Sequence, residues 1–242
     1  MGFDGVDINF GCPQDKEVAQ KTCAALIREP ELAKEIIRAT KRGAGDLPVS
    51  VKTRLGYSKI DEIGDWLKHL LETDCLAAIT IHARTKQEKS KVPAHWEAIV
   101  EAVQIRDKRL ENREKEKTLI IGNGDVKSRE EALARIKETG CDGVMVARGA
   151  FGNPWFFRRD NYQPDIKERL TVMLEHAQLF EETLKDVKSF AIMRKHFKAY
   201  ASGFEGAHEL RAKLMETKNT LQVERGVKEF ISSDANTRIS RE

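Results

Sequence analysis

Four signatures are missing from this sequence, and each absence removes a class of protein. No cysteine pair has CxxC spacing. Cys12, Cys23, Cys75 and Cys141 are widely scattered, which speaks against a zinc or other metal site and for thiols kept reduced. No apolar run approaches the roughly 20 residues that span a bilayer. Met1-Gly2-Phe3-Asp4 has neither the basic start nor the apolar stretch of a signal peptide, so a cytoplasmic protein without membrane contact is expected. No GxGxxG follows the first strand pattern, as a dinucleotide-binding open sheet would require. The net charge of +3 is too small to identify a nucleic-acid binder, although clustered Lys and Arg could still form a basic face.

What is present suffices for a large core: 242 residues, 40% of them apolar and 33% charged. Short apolar runs recur at GVDIN (5–9), VSVK (49–52), AITIH (78–82), LIIG (119–122) and GVMVA (143–147). Amphipathic stretches separate them at 30–42, 61–73, 95–107 and 129–139. In the first of these, Leu32, Ile36 and Ile37 share a face while Lys34, Glu35 and Arg38 point elsewhere. Strand then helix, repeated, predicts a parallel sheet.

A (β/α)8 barrel collects function at the C-terminal ends of its strands. Polar groups gather at those ends here: Asn9 and Cys12, Lys52 and Arg54, His82 and Arg84, Asn123 and Asp125, and Arg148. The expectation is therefore an α/β protein of the TIM-barrel type, cut down to about five β/α units over residues 1–160. Three units, roughly 90 residues, would be missing from the front. Residues 166–242 read as an all-helical second domain, joined through a polar, Pro-ended stretch at 158–164. The run at 106–117 has ten charged residues of twelve and reads as a solvated helix extension. Cys75 and Cys141 read as structural.

The chemistry-bearing residues have bland alternatives. IGNGDV (121–126) and VARGAFGNP (146–154) put glycines after the last two strands. Such loops hold phosphate groups in barrels, and Arg148 would add a forked contact; ordinary tight turns are the alternative. Lys52 would balance negative charge inside the barrel mouth or reach out to solvent. His82 is a site group or a satisfied structural one. Cys12, in a Gly-Cys-Pro turn, is a proton donor to a bound ligand or a small buried residue.

The motifs N-F-G-C-P (9–13), V-K-T-R (51–54), I-H-A-R-T (81–85), G-N-G-D (122–125) and V-A-R-G…G-N-P-W (146–155) together resemble the tRNA-dihydrouridine synthases. So does M-R-K-H…Y (193–200) in the helical tail. The resemblance implies a barrel flavoprotein that uses FMN, reduced by NADPH, to saturate the C5=C6 bond of uridine in tRNA. It implies Cys12 as the general acid, protonating carbon 5 on the face opposite hydride delivery. Asn9 would bind the uracil edge, and Arg54 and Arg84 the substrate nucleotide. Lys52 and His82 would contact the flavin ring. Asn123, Gly124, Asp125, Ala147 and Arg148 would form the rest of the FMN site. The partners would be tRNA and NADPH, and the complete protein would be monomeric. The target uridine would leave its stack to react.

This chain departs from the family pattern in the loop after Cys12. Lys16 is followed by Glu17, and Lys21-Thr22-Cys23 stand where glycines are expected, so a less mobile loop is expected. The family's first-strand flavin loop and a later Gln to the ring have no counterpart here. A non-catalytic tRNA-binding remnant and another FMN-dependent barrel oxidoreductase stay open beside the synthase reading.

Overall fold

The computed structural model of the chain describes residues 2–111, 117–160 and 162–239. They form two compact units, Met1–Val146 and Ala147–Glu242.

The first unit alternates strand and helix. β1 (Val6–Asn9) leads through α1 (Asp15–Ala19) and a 3-10 turn (Cys23–Arg28) to α2 (Pro30–Ala44). β2 (Val49–Arg54), a 3-10 turn (Ile60–Glu62) and α3 (Ile63–Leu71) follow. Then come β3 (Leu76–His82), α4 (Glu97–Leu110), β4 (Leu119–Asn123), α5 (Arg129–Thr139) and β5 (Gly143–Met145). All neighbouring strands pair in parallel, in the order β1-β2-β3-β4-β5. A doubly wound sheet reverses its strand order partway; this one does not, which is the winding of a barrel. β1 and β5 are the two edges.

Local sequence explains the helix ends. Pro30 starts α2, where the missing N–H costs nothing, and Gly45, at φ 60°, ends it. Ser128 caps α5 by accepting from the Glu131 N–H, while Glu131 accepts from the Lys127 N–H. The core lies between sheet and helices. Val49, Val51, Ile79, Ile81 and Ile120 from the strands meet Ile63, Leu67 and Leu70 of α3 and Ile99 of α4, all fully buried. Trp66 Nε1 donates to Thr53 Oγ1 at 2.9 Å and satisfies both groups inside that layer.

Side chains alternate across a strand, so the opposite face carries Asp7, Asn9, Ser50, Lys52, Arg54, Thr80, His82 and Asn123. The register sets Asn9 beside Lys52, Arg54 beside His82, and His82 beside Asn123. The sheet thus presents a polar row at the C-terminal ends of its strands.

Two expectations need correction. The charged run at 106–117 is not uniformly solvated. α4 ends at Leu110, and Arg106 is buried with Nη1 on Asp142 at 2.5 Å and on the Thr118 carbonyl at 3.2 Å. Asp142 also takes the Ile120 N–H and Lys117 Nζ. Burial alone would raise its carboxyl, but those partners outweigh it and hold the pKa at about 2. Residues 112–116 of the run lie outside the described residues. The last strand is shorter than 143–147, because only Ile121, Gly122 and Asn123 offer it a ladder. The segment after Cys12 holds a short helix and a 3-10 turn. Cys141 is buried as expected, whereas Cys75 is half-buried.

The second unit is helical from Ile166 onward: α6 (Ile166–Leu184), a 3-10 turn (Phe190–Met193), α7 (Arg194–Tyr200), α8 (Ala207–Glu216) and α9 (Thr220–Ile239). Asp165 caps α6 by accepting from the Glu168 N–H at 2.7 Å. Leu170, Met173, Ala177 and Phe180 make its buried stripe, against Phe197, Leu210, Leu214 and Val223. Each large apolar side chain buried there contributes about 1.5–3 kcal/mol. Phe197 and Leu210 pack as the pattern suggests, but Ile192 is exposed, because its 3-10 turn directs Met193 inward instead.

Candidate active site

Cys12 sits on a turn held from both sides. Asn9 Oδ1 accepts from the Gly11 and Cys12 N–H groups at 3.0 and 3.2 Å, the local bond that makes Asn a turn residue. From β2, the Lys52 carbonyl accepts the Phe10 N–H at 2.8 Å, and Arg54 Nε donates to the Gly11 carbonyl at 2.7 Å. From the following segment, the Ala24 N–H reaches the Cys12 carbonyl at 3.3 Å. The Cys12 side chain is half-buried at the strand end.

Lys52 is also half-buried, with Nζ on Asn123 Oδ1 at 3.0 Å. Burial, then the charge of Arg54, pushes its pKa down to about 8. Asn123 completes its amide by donating Nδ2 to the Met145 carbonyl at 2.8 Å. The amide therefore bridges Lys52 and β5.

His82 is neutral at physiological pH. Burial, and then Arg54, Lys52 and Arg84, hold its pKa down to about 3. Arg84 Nη1 lies 3.1 Å from His82 Nε2. Guanidinium has no acceptor, so Nε2 must accept and Nδ1 must carry the proton. Arg84 also donates Nε to the Val92 carbonyl at 2.6 Å and Nη2 to Asp125.

The two arginines are buried and bonded largely to backbone carbonyls. Arg54 is 5% exposed and Arg84 2%. Arg54 engages the carbonyls of Gly11, Thr85 and Lys89. Both brace the site through these bonds. Asp125 is likewise engaged by Arg84, and the Gly124 carbonyl accepts from Trp96 Nε1 at 3.2 Å. Gly124, at φ 151°, has no room for a side chain: a Cβ would lie 2.7 Å from that of Ala94. Ala147 and Arg148 are exposed residues at the start of the second unit, where Arg148–Ala150 form a 3-10 turn.

Sequence reasoning missed three supports. Thr85 and Glu88 exchange bonds, Thr85 N–H to Glu88 Oε2 and Glu88 N–H to Thr85 Oγ1; the Thr-x-x-Glu spacing signals this. Asp15 takes both Lys86 and Lys89, at 3.1 and 3.0 Å, tying the Cys12 loop to the loop after β3. Trp96 fills the space beside Gly122, where a Cβ would lie 2.5 Å from the indole. No local pattern announces these last two, because each joins distant segments.

Among the described residues, Arg84 is the one cation of the Lys52–Arg54–Arg84 cluster with a carboxylate in its hydrogen bonds. Desolvated positive charge beside a neutral His suits an anionic, planar, hydrogen-bonding ligand. The donor set therefore fits a reduced flavin ring. Among the described residues no cluster could hold a metal ion, and no helix is long and apolar enough to cross a membrane.

A singly wound parallel sheet that gathers a thiol, a cation and a neutral imidazole at its strand ends defines an α/β class of protein. Comparison with known proteins narrows that class. A family model for dihydrouridine synthases matches residues 1–237. A "Probable tRNA-dihydrouridine synthase" of Staphylococcus aureus (strain MRSA252) is 44% identical over 231 residues, covering 95% of this chain and 68% of that protein. One from Staphylococcus epidermidis (strain ATCC 12228) is 45% identical over 220 residues, covering 90% and 65%. The "Probable tRNA-dihydrouridine synthase 2" of Bacillus subtilis (strain 168) is 42% identical over 224 residues, covering 92% and 66%. The chain belongs to the dihydrouridine synthase family, and it spans about two thirds of the length of these relatives.

Proposed function

We propose that this chain reduces the C5=C6 bond of uridine in tRNA, with FMN as cofactor and NADPH as reductant. The observation that carries the reading is the convergence of Cys12, Lys52, His82 and Asn123 at the C-terminal ends of adjacent strands.

FMN, when bound, supplies a hydride to carbon 6 of uracil. Lys52 would hold the flavin ring's negative charge, with Asn123 fixing its ammonium and His82 presenting Nδ1–H beside it. Bound negative charge would remove the cost of keeping Lys52 charged in a desolvated place. Asn9 has its Oδ1 engaged by the turn, so it offers its Nδ2–H donors to a uracil carbonyl. Cys12 gives its Sγ proton to carbon 5: the S–H bond breaks, a C–H bond forms, and the thiolate regains its proton from solvent. Arg54 sets where that thiol stands, through the Gly11 carbonyl. In the second unit, Arg194, Lys195 and Lys198 are exposed on α7 while Met193, Phe197 and Tyr200 are buried, which supports a phosphate-binding face for tRNA.

A second reading, a non-catalytic tRNA-binding remnant, draws on the open sheet, whose β1 and β5 edges do not meet. Flavin content separates the two. Protein purified under native conditions should carry FMN, or take it up with a shift in flavin absorbance that Lys52→Met abolishes. A protein that never binds flavin at saturating FMN would be the remnant.

A further inference from the structure

Cys23 stands in an unusual place. Its φ of 54° lies in the left-handed region, as does Lys21 at 57°. Glycine occupies such positions freely, and a residue with a Cβ does so at a cost. The backbone there is nonetheless fixed. Thr22 Oγ1 donates to the Glu17 carbonyl at 3.0 Å, and the next residue, Ala24, donates its N–H to the Cys12 carbonyl at 3.3 Å. Ten residues, Pro13 to Thr22, therefore loop out and return so that the Cys23–Ala24 backbone meets that of Cys12. Both thiols are half-buried and close enough to interact. Burial is the largest influence on Cys23 and pushes its thiol up; the neighbouring Cys12 pushes the same way. Cys75 and Cys141 lie elsewhere, on the approaches to β3 and β5.

We propose that Cys12 and Cys23 form a reversible intrachain disulfide with a low-molecular-weight disulfide as oxidant, making this pair a modification site. The Cys12 thiolate attacks one sulfur of the small disulfide. A mixed disulfide forms and one small thiol leaves. The Cys23 thiolate then attacks the Cys12 sulfur, forms the Cys12–Cys23 bond and expels the second small thiol. Two protein thiols are oxidised, one small disulfide is reduced to two thiols, and the two protons end on those thiols. Cys23 is the resolving partner, because it is the cysteine that the returning loop brings back to Cys12. A disulfide demands closely spaced Cα atoms and facing side chains; the Ala24 N–H bond to the Cys12 carbonyl draws the two backbone segments together, and the two thiols influence each other electrostatically. Closing a loop of this size is entropically mild.

The functional consequence rests on the proposed role of Cys12: the oxidised sulfur has no proton to give, and uridine reduction stops until a thiol reopens the bond. The bond itself is tested independently of that role. The folded chain is treated with glutathione disulfide, its remaining thiols are alkylated, and tryptic peptides are weighed. The expected product joins Met1–Lys16 to Thr22–Arg28 through a dithiothreitol-sensitive link, with Cys75 and Cys141 alkylated. In Cys23→Ser, glutathione should instead stay on Cys12, and unoxidised Cys23→Ser should keep the parent's basal activity. Stable glutathione on Cys12 in the parent, or linkage scattered over all four cysteines as in a guanidinium-unfolded control, would overturn the proposal. If the link forms but dihydrouridine production is unaffected, the modification site stands and the general-acid role of Cys12 fails.

Discussion

His82 makes the first unit sensitive to acid. Its pKa lies near 3 in the folded state against an ordinary 6.5, so the unfolded chain binds the proton first as pH falls. The stability held by the neutral imidazole is complete above pH 6.5 and is lost progressively from there down to about 3. Urea midpoints followed by circular dichroism should drop across this window in the parent and drop less in His82→Gln, whose amide oxygen still accepts from Arg84. Parallel curves for the two would mean that His82 is not held neutral. The same residue shows what the sequence can disclose. The strand-end placement of Cys12, Lys52 and His82 was legible because each follows or closes an apolar run. The burial of Arg54 and Arg84 was not, because a sequence shows their charge but not the carbonyls of Gly11, Thr85, Lys89 and Val92 that engage them.

At the scale of elements, α7 has a dry side and a charged side. Replacing Arg194, Lys195 and Lys198 together by Ala leaves Met193, Phe197 and Tyr200 packed, so the fold should persist. Binding of tRNA should weaken, and the slope of log K against log salt should shrink by about 2–3 if each cation meets a phosphate, at roughly 0.7–0.9 per contact. Filter binding at several salt concentrations measures this; an unchanged slope assigns α7 to packing alone. Strands and long helices were readable from periodicity, since Val49, Val51, Ile79 and Ile81 alternate and α6 repeats its apolar residues every three or four positions. The turn at Cys23–Arg28 was not, because its three-residue repeat and the positive φ at Cys23 leave no hydrophobic period to read. The burial of Arg106 was hidden for a different reason: its partner Asp142 is 36 residues away.

On the scale of the whole molecule, five parallel strands leave two edges. Among the described residues β1 and β5 each have a strand partner on one side only, which leaves the other side a template for another strand. The chain should therefore self-associate with rising concentration and hold flavin less tightly than a closed barrel would. Light-scattering chromatography across a concentration series tests this; a monodisperse monomer throughout, with one tightly held FMN, would show that the edges are covered.

The central claim is that Cys12 donates the proton that completes uridine reduction. It is tested by single-turnover dihydrouridine formation on unmodified tRNA, with FMN and NADPH in excess, comparing the parent with Cys12→Ala. The parent should form dihydrouridine, and the variant, with flavin binding intact, should form it about 10²–10⁴-fold more slowly, the usual contribution of a general acid. Equal rates in the two proteins would contradict it.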